Sequence, residues 1–165
     1  MEINKILFLS STVLVYTALS LFITKIITKK FRKIAIAEDN FNYYAIIFCG
    51  ILVSASFFGK EMVTVIQDTY VILSKNQAEK SEFLRIVSIF CVAGILMNIT
   101  SYFLAFAFLK FIFEKINIVE KYNSDQYGYF LLVATLIAII GFLLSPIYYQ
   151  ILTFFSPKLE IGLFN

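Results

Sequence analysis

Glu61 and Asp68 are the two acids of this 165-residue chain best placed to do chemistry. They lie in Gly59–Ser74, "GKEMVTVIQDTYVILS", which has no proline and keeps helical spacing. Seven residues apart is about two helical turns, so both carboxylates share a face, with Lys60 and Thr64 close to it. Two acids facing a water-filled path would make a cation route or a proton-linked site. Asn98, central in another apolar run, would add a polar contact to that path. A plainer reading competes. Met62, Val63, Ile66, Tyr70 and Leu73 form an apolar stripe, so the segment also reads as an amphipathic extension of the run before it. A charge at a bilayer centre costs at least about 2.5–3.5 kcal/mol, which favours the extension. Lys60, Glu61, Asp68 and Asn98 remain the candidate polar pathway.

Other chemistry finds little footing. The chain has no histidine, which removes the usual haem ligand, the usual catalytic zinc sites and the commonest general base. Cys49 and Cys91 are far apart, form no CxxC pair and read as small buried hydrophobes. Gly-rich phosphate loops and a GxSxG elbow are missing. No catalytic residue, metal or cofactor is expected, and nucleic-acid binding has no support, because the basic residues flank long apolar runs.

Those runs must position whatever site exists. Hydrophobic residues make up 60% of the chain and charged residues 15%, with mean hydropathy +0.85. Soluble domains are about 45–50% apolar and about 25% charged, and a globule this small cannot hide the excess. Four apolar runs, Ile6–Thr24, Phe41–Gly59, Ile86–Leu109 and Gln126–Pro157, are long enough for helices to cross a hydrocarbon core of about 30 Å. The fold expected is all-α, an integral membrane four-helix bundle forming one domain over residues 1–165. The first run reads as an uncleaved anchor. The fourth exceeds one span, so a tilt, an interfacial extension or a kink at Pro146 is expected, with the freed carbonyl met by Ser145 or Gln150. Tyrosine pairs at 43/44, 127/129 and 148/149 read as an aromatic belt. Gly94, Gly141, Ala134 and Ala138 offer faces for close helix approach.

Lys and Arg set the orientation. Lys25, Lys29, Lys30, Arg32 and Lys33 follow the first run directly, and Lys110, Lys115 and Lys121 follow the third. Loops one and three are therefore expected in the cytoplasm and both termini outside. Lys29, Lys30, Arg32 and Lys33 are also candidates to contact anionic lipid headgroups.

The chain carries an internal likeness. Lys33–Glu38 reads "KIAIAE" and Lys115–Glu120 reads "KINIVE", four of six positions identical. Each hexamer lies between an odd-numbered run and the next even one. This implies two tandem two-helix repeats, about 1–80 and 81–165, related by an axis along the membrane normal. The alternation in the hexamer reads as an interfacial ledge. Glu38, Asp39, Asn40, Glu120 and Asn123 read as helix-capping residues of the cytoplasmic turns.

A duplicated unit of this kind, carried by Ile36, Asn40, Ala45 and Gly50 and again by Ile118, Asn123 and Gly128, resembles the small bacterial multi-spanning proteins of domain of unknown function 350. That resemblance implies an integral membrane protein with no assigned activity. The chain departs from it in the spacing between the Asn and the small residue. The expected function is a non-enzymatic component of the bacterial inner membrane that assembles with itself or with another membrane protein. The alternative is a subunit of an ion or small-solute channel or transporter.

Overall fold

The computed structural model describes residues 2–37, 41–75, 80–113 and 127–157. Every element among them is a helix: α1 (Glu2–Ile27), α2 (Lys29–Ala37), α3 (Asn42–Lys75), α4 (Lys80–Phe113) and α5 (Tyr127–Phe155). Four of these, all but α2, are long and apolar enough to cross a membrane.

The helices alternate in direction. Tyr43 stacks on Phe130, and Thr69 meets the hydroxyl of Ser156 at 3.2 Å, so α3 and α5 run parallel. Met62 meets Cys91 and Tyr70 meets Phe83, so α4 runs against α3. Phe8 packs on Phe83 and Tyr16 lies against Gly94, so α1 runs with α4.

The α3–α5 pair forms the spine, and small residues are the reason. A Cβ added at Gly50 would fall 2.7 Å from the Ala134 backbone, and one at Gly141 would collide with Ser54. Such close approach brings the two backbones into van der Waals contact along the pair. Of the faces named from sequence, Ala134 and Gly141 serve here. Gly94 serves elsewhere, receiving the rings of Tyr16 and Tyr148.

Two apolar clusters fill the interior. One gathers Phe58, Met62, Ile66, Phe90 and Leu152 around Tyr16 and Tyr148. The other gathers Ile47, Ile51, Leu109, Phe130 and Ile137 around Phe31 and Tyr43. Phe31, from α2, is buried and pins that short helix to the bundle.

Several expectations change. The run ending at Gly59 does not end a helix; α3 continues to Lys75 because Met62, Val65, Ile66, Thr69 and Leu73 keep facing the bundle. Val63 and Tyr70, placed in that stripe from sequence, are only half-buried. Cys91 is buried, but Cys49 is exposed. Tyr43 and Tyr148 are core residues, not belt residues. Lys33–Ala37 continue the helix α2 rather than an extended segment. Glu38, Asp39, Asn40, Glu120, Asn123 and the second hexamer lie outside the described residues.

Pro146 sits inside α5 without ending it. Proline has no N–H for the carbonyl four residues back, that of Phe142. Ser145 Oγ donates to that carbonyl at 3.0 Å, which satisfies it as the sequence led us to expect.

Candidate functional site

The contacts between helices fix a common height scale. Tyr43 with Tyr127 and Phe130 marks one edge of the apolar belt. Asp68 marks the other, beside Thr69, which is level with Ser156, and Tyr70, level with Phe83. Along α3 that belt is about 37 Å tall.

Lys60 and Glu61 fall inside it, about 12 Å from the Asp68 edge. They form an ion pair at 3.7 Å, with the Lys60 side chain 76% exposed and that of Glu61 19% exposed. Lys60 points directly away from the core. Glu61 lies toward α5, on the same flank as exposed Asp68, so the shared face read from sequence holds. Asn98 is elsewhere: buried on the inner face of α4, with its Oδ1 unpartnered. Lys60 and Asp68 therefore stand on the outside of the bundle, Glu61 is largely covered on the flank toward α5, and Asn98 lies inside. One chain does not bring the four together.

A second polar feature was missed from sequence. Thr12, Tyr16, Ser20 and Thr24 recur every fourth residue and form the buried face of α1, and Thr28 continues the spacing in the turn after it. Thr12, Thr24 and Thr28 donate back to the carbonyls of Phe8, Ser20 and Thr24. Tyr16 instead donates across to the Ala55 carbonyl at 3.1 Å. Tyr148 makes the matching bond from α5 to the Phe90 carbonyl on α4 at 2.8 Å. The i, i+4 spacing of hydroxyls was the available signal, hidden because Ser10, Ser11 and Thr17 put further hydroxyls on the exposed side of α1 and blur the contrast between its faces.

Ser20 Oγ and Ser54 Oγ are buried without a partner, like Asn98 Oδ1. Ser54 is level with Gly141, Ser20 lies one turn beyond Tyr16, and Asn98 lies one turn beyond Gly94, against which Tyr16 packs. The three orphaned oxygens thus occupy one level near the middle of the belt, between the two apolar clusters.

A groove of about 550 Å³ opens between α1 and α3. Val13, Leu21, Leu52 and Val63 make its walls, with Lys60 and Thr64 at the end nearer the Asp68 edge. Ser20 lies in its wall. Thr64 and Thr17 turn their hydroxyls back to the carbonyls of Lys60 and Val13.

Of the basic cluster, Lys29, Lys30 and Lys33 are exposed on α2, while Arg32 is partly covered and its buried Nε is unpartnered. Among the described residues no group of three or more His, Cys, Asp or Glu side chains is arranged to hold a metal.

No family model, curated protein or solved structure matches this chain.

Proposed function

We propose that the chain is a non-enzymatic integral protein of the bacterial inner membrane that works through its outer surfaces, assembling with itself or with another membrane protein. The supporting observation is where its polar chemistry lies. Lys60 and Asp68 stand outside a bundle whose interior is filled largely by apolar side chains and by the α3–α5 contact, and Glu61 is partly covered beside Lys60. With Lys60, Asp68, Lys29, Lys30 and Lys33 exposed, the described charges are offered mainly to a neighbour. In this reading α1, α3, α4 and α5 cross the bilayer, both termini lie outside, and the exposed lysines of α2 rest on the cytoplasmic headgroups. The chain is two tandem hairpins, as the resemblance to domain of unknown function 350 implies, with α3 and α5 as the equivalent parallel helices.

A second reading has its own observation. Ser20, Ser54 and Asn98 leave three buried oxygens unpartnered at one level, a place where water or a small solute would be stabilised. This is the channel or transporter subunit.

Purification in mild detergent followed by reconstitution separates the two. Stable assembly above one chain, with no ion flux, is the expected result. Flux abolished by Asn98→Leu and unaffected by Asp68→Asn would replace the first reading by the second. A lone monomer without flux would contradict self-assembly and the channel reading alike.

A further inference from the structure

We propose that Lys25, Lys29, Arg32 and Lys33 form one site for a phosphate group, that of an anionic phospholipid, with the Arg32 guanidinium as its principal ligand. The inference rests on α2 lying at the headgroups, as in the reading above, but not on assembly with partners.

The helix brings these cations together. The Thr28 N–H donates to the Thr24 carbonyl at 2.9 Å and the Arg32 N–H to that of Thr28 at 3.0 Å, so helical spacing carries on from α1 into α2. Residues 25, 29, 32 and 33 then stand at i, i+4, i+7 and i+8, on one face. Phe31, buried beside Phe106, fixes that face against the bundle. Phe106 is one turn short of Lys110, where the apolar run of α4 ends. Lys29, Arg32 and Lys33 therefore stand at the edge of the belt, where phosphates are found. Lys25 is one turn below Lys29, and its stem is long enough to bring the ammonium up to them.

The charges are unmet. Among the described residues none of the four has an acidic partner. Like charges one turn apart on a helix repel each other. Arg32 adds a specific demand, because its Nε–H is covered and has no acceptor, a cost that an oxygen ligand removes. The side chain as a whole is only half-buried, so turning the guanidinium presents its Nε–Nη edge to a headgroup. That edge takes two phosphate oxygens at once, which an ammonium cannot do. The surface below favours a lipid over a free ion. Leu21, Phe22 and Ile26 continue the same face into the belt and are all exposed, so a phosphate at Arg32 leaves its acyl chains on apolar side chains.

The chain has no tryptophan, so Phe22→Trp reports only from the face below the site. In phosphatidylcholine vesicles, phosphatidylglycerol brominated on its acyl chains should quench this reporter in preference to brominated phosphatidylcholine. Leu143→Trp, exposed on α5, should show no such preference. Lys30 supplies the comparison, since it carries the same charge at nearly the same height, about 100° around the helix from Lys29. Arg32→Gln should cut the preference about tenfold, the weight of one charged hydrogen bond. Arg32→Lys should cut it too, and Lys30→Gln should leave it. Amide exchange over residues 29–37 should be unchanged in Arg32→Lys. No preference in the Phe22→Trp chain would overturn the site together with the place of α2 at the headgroups. A preference that falls alike in Lys30→Gln and Arg32→Gln, or that survives Arg32→Lys, would overturn the site and leave that place standing. Loss of exchange protection in Arg32→Lys would make Arg32 a support of α2 and overturn its role as ligand. A preference abolished by inorganic phosphate, but not by chloride at equal ionic strength, would give the site to a free ion and overturn the lipid.

Discussion

Gly50 and Gly141 matter for the side chains they lack. At each, a methyl group would strike the facing helix, at the Ala134 backbone or at Ser54. Overpacking of this kind costs about 1–3 kcal/mol. Gly141→Ala should therefore lower stability in detergent by that amount, measured by chemical unfolding. Gly128→Ala, which meets nothing within 4 Å, should stay within about 0.5 kcal/mol of the parent. The Ser145 bond to the Phe142 carbonyl makes a second test. Ser145→Ala leaves a carbonyl beside Pro146 without a donor and should cost about 1 kcal/mol, whereas the same change at exposed Ser88 should cost little. Tyr148→Phe removes one bond between helices and should cost about 0.6 kcal/mol, at most about 1.7. The Ser145 role was legible in the sequence because proline dictates which carbonyl is freed. The Ser54–Gly141 contact was not, because nothing along one helix says which residue of another will face it.

Among the elements, α3 shows how composition and packing diverge. Its uncharged run stops at Gly59, yet the helix reaches Lys75. Hydropathy registers Lys60, Glu61 and Asp68, while the inner face continues through Met62, Val65, Ile66, Thr69 and Leu73, invisible to an average. The periodic stripe in Gly59–Ser74 did foretell the extension, shifted by a residue or two around the helix. The short helix α2 depends on a different device. Phe31 is buried in the second cluster with its ring 5.9 Å from that of Phe106, and the exposed lysines flank it. Removing a large buried aromatic costs about 3–5 kcal/mol. That exceeds what a nine-residue helix holds by itself, since isolated helices this short are marginal in water. Phe31→Ala should therefore release α2, seen as loss of amide exchange protection over residues 29–37 while α4 and α5 stay protected. Protection retained in α2 would mean that lysine contacts at the surface, not Phe31, hold it.

For the whole molecule, apolar length and helical class were readable from the sequence, since long apolar runs without alternation every second residue suit helices and not barrel strands. Packing order was not readable. The parallel α3–α5 spine, and α1 held by hydroxyls, follow from shape complementarity between distant segments. The dispersal of Lys60, Glu61, Asp68 and Asn98 follows from the same geometry, because residues grouped by chemistry along the chain diverge once their helices rotate into place. The account stands on four crossings with alternating direction. Single cysteines in a Cys49→Ser, Cys91→Ser background, probed in sealed vesicles with a membrane-impermeant thiol reagent, test it directly. Lys29→Cys and Lys110→Cys should label from one face and Asp68→Cys and Glu82→Cys from the other, while Leu14→Cys, Val92→Cys and Leu143→Cys resist labelling from both. Labelling of Lys29→Cys and Lys110→Cys from opposite faces, or free labelling of the three apolar positions, would contradict it.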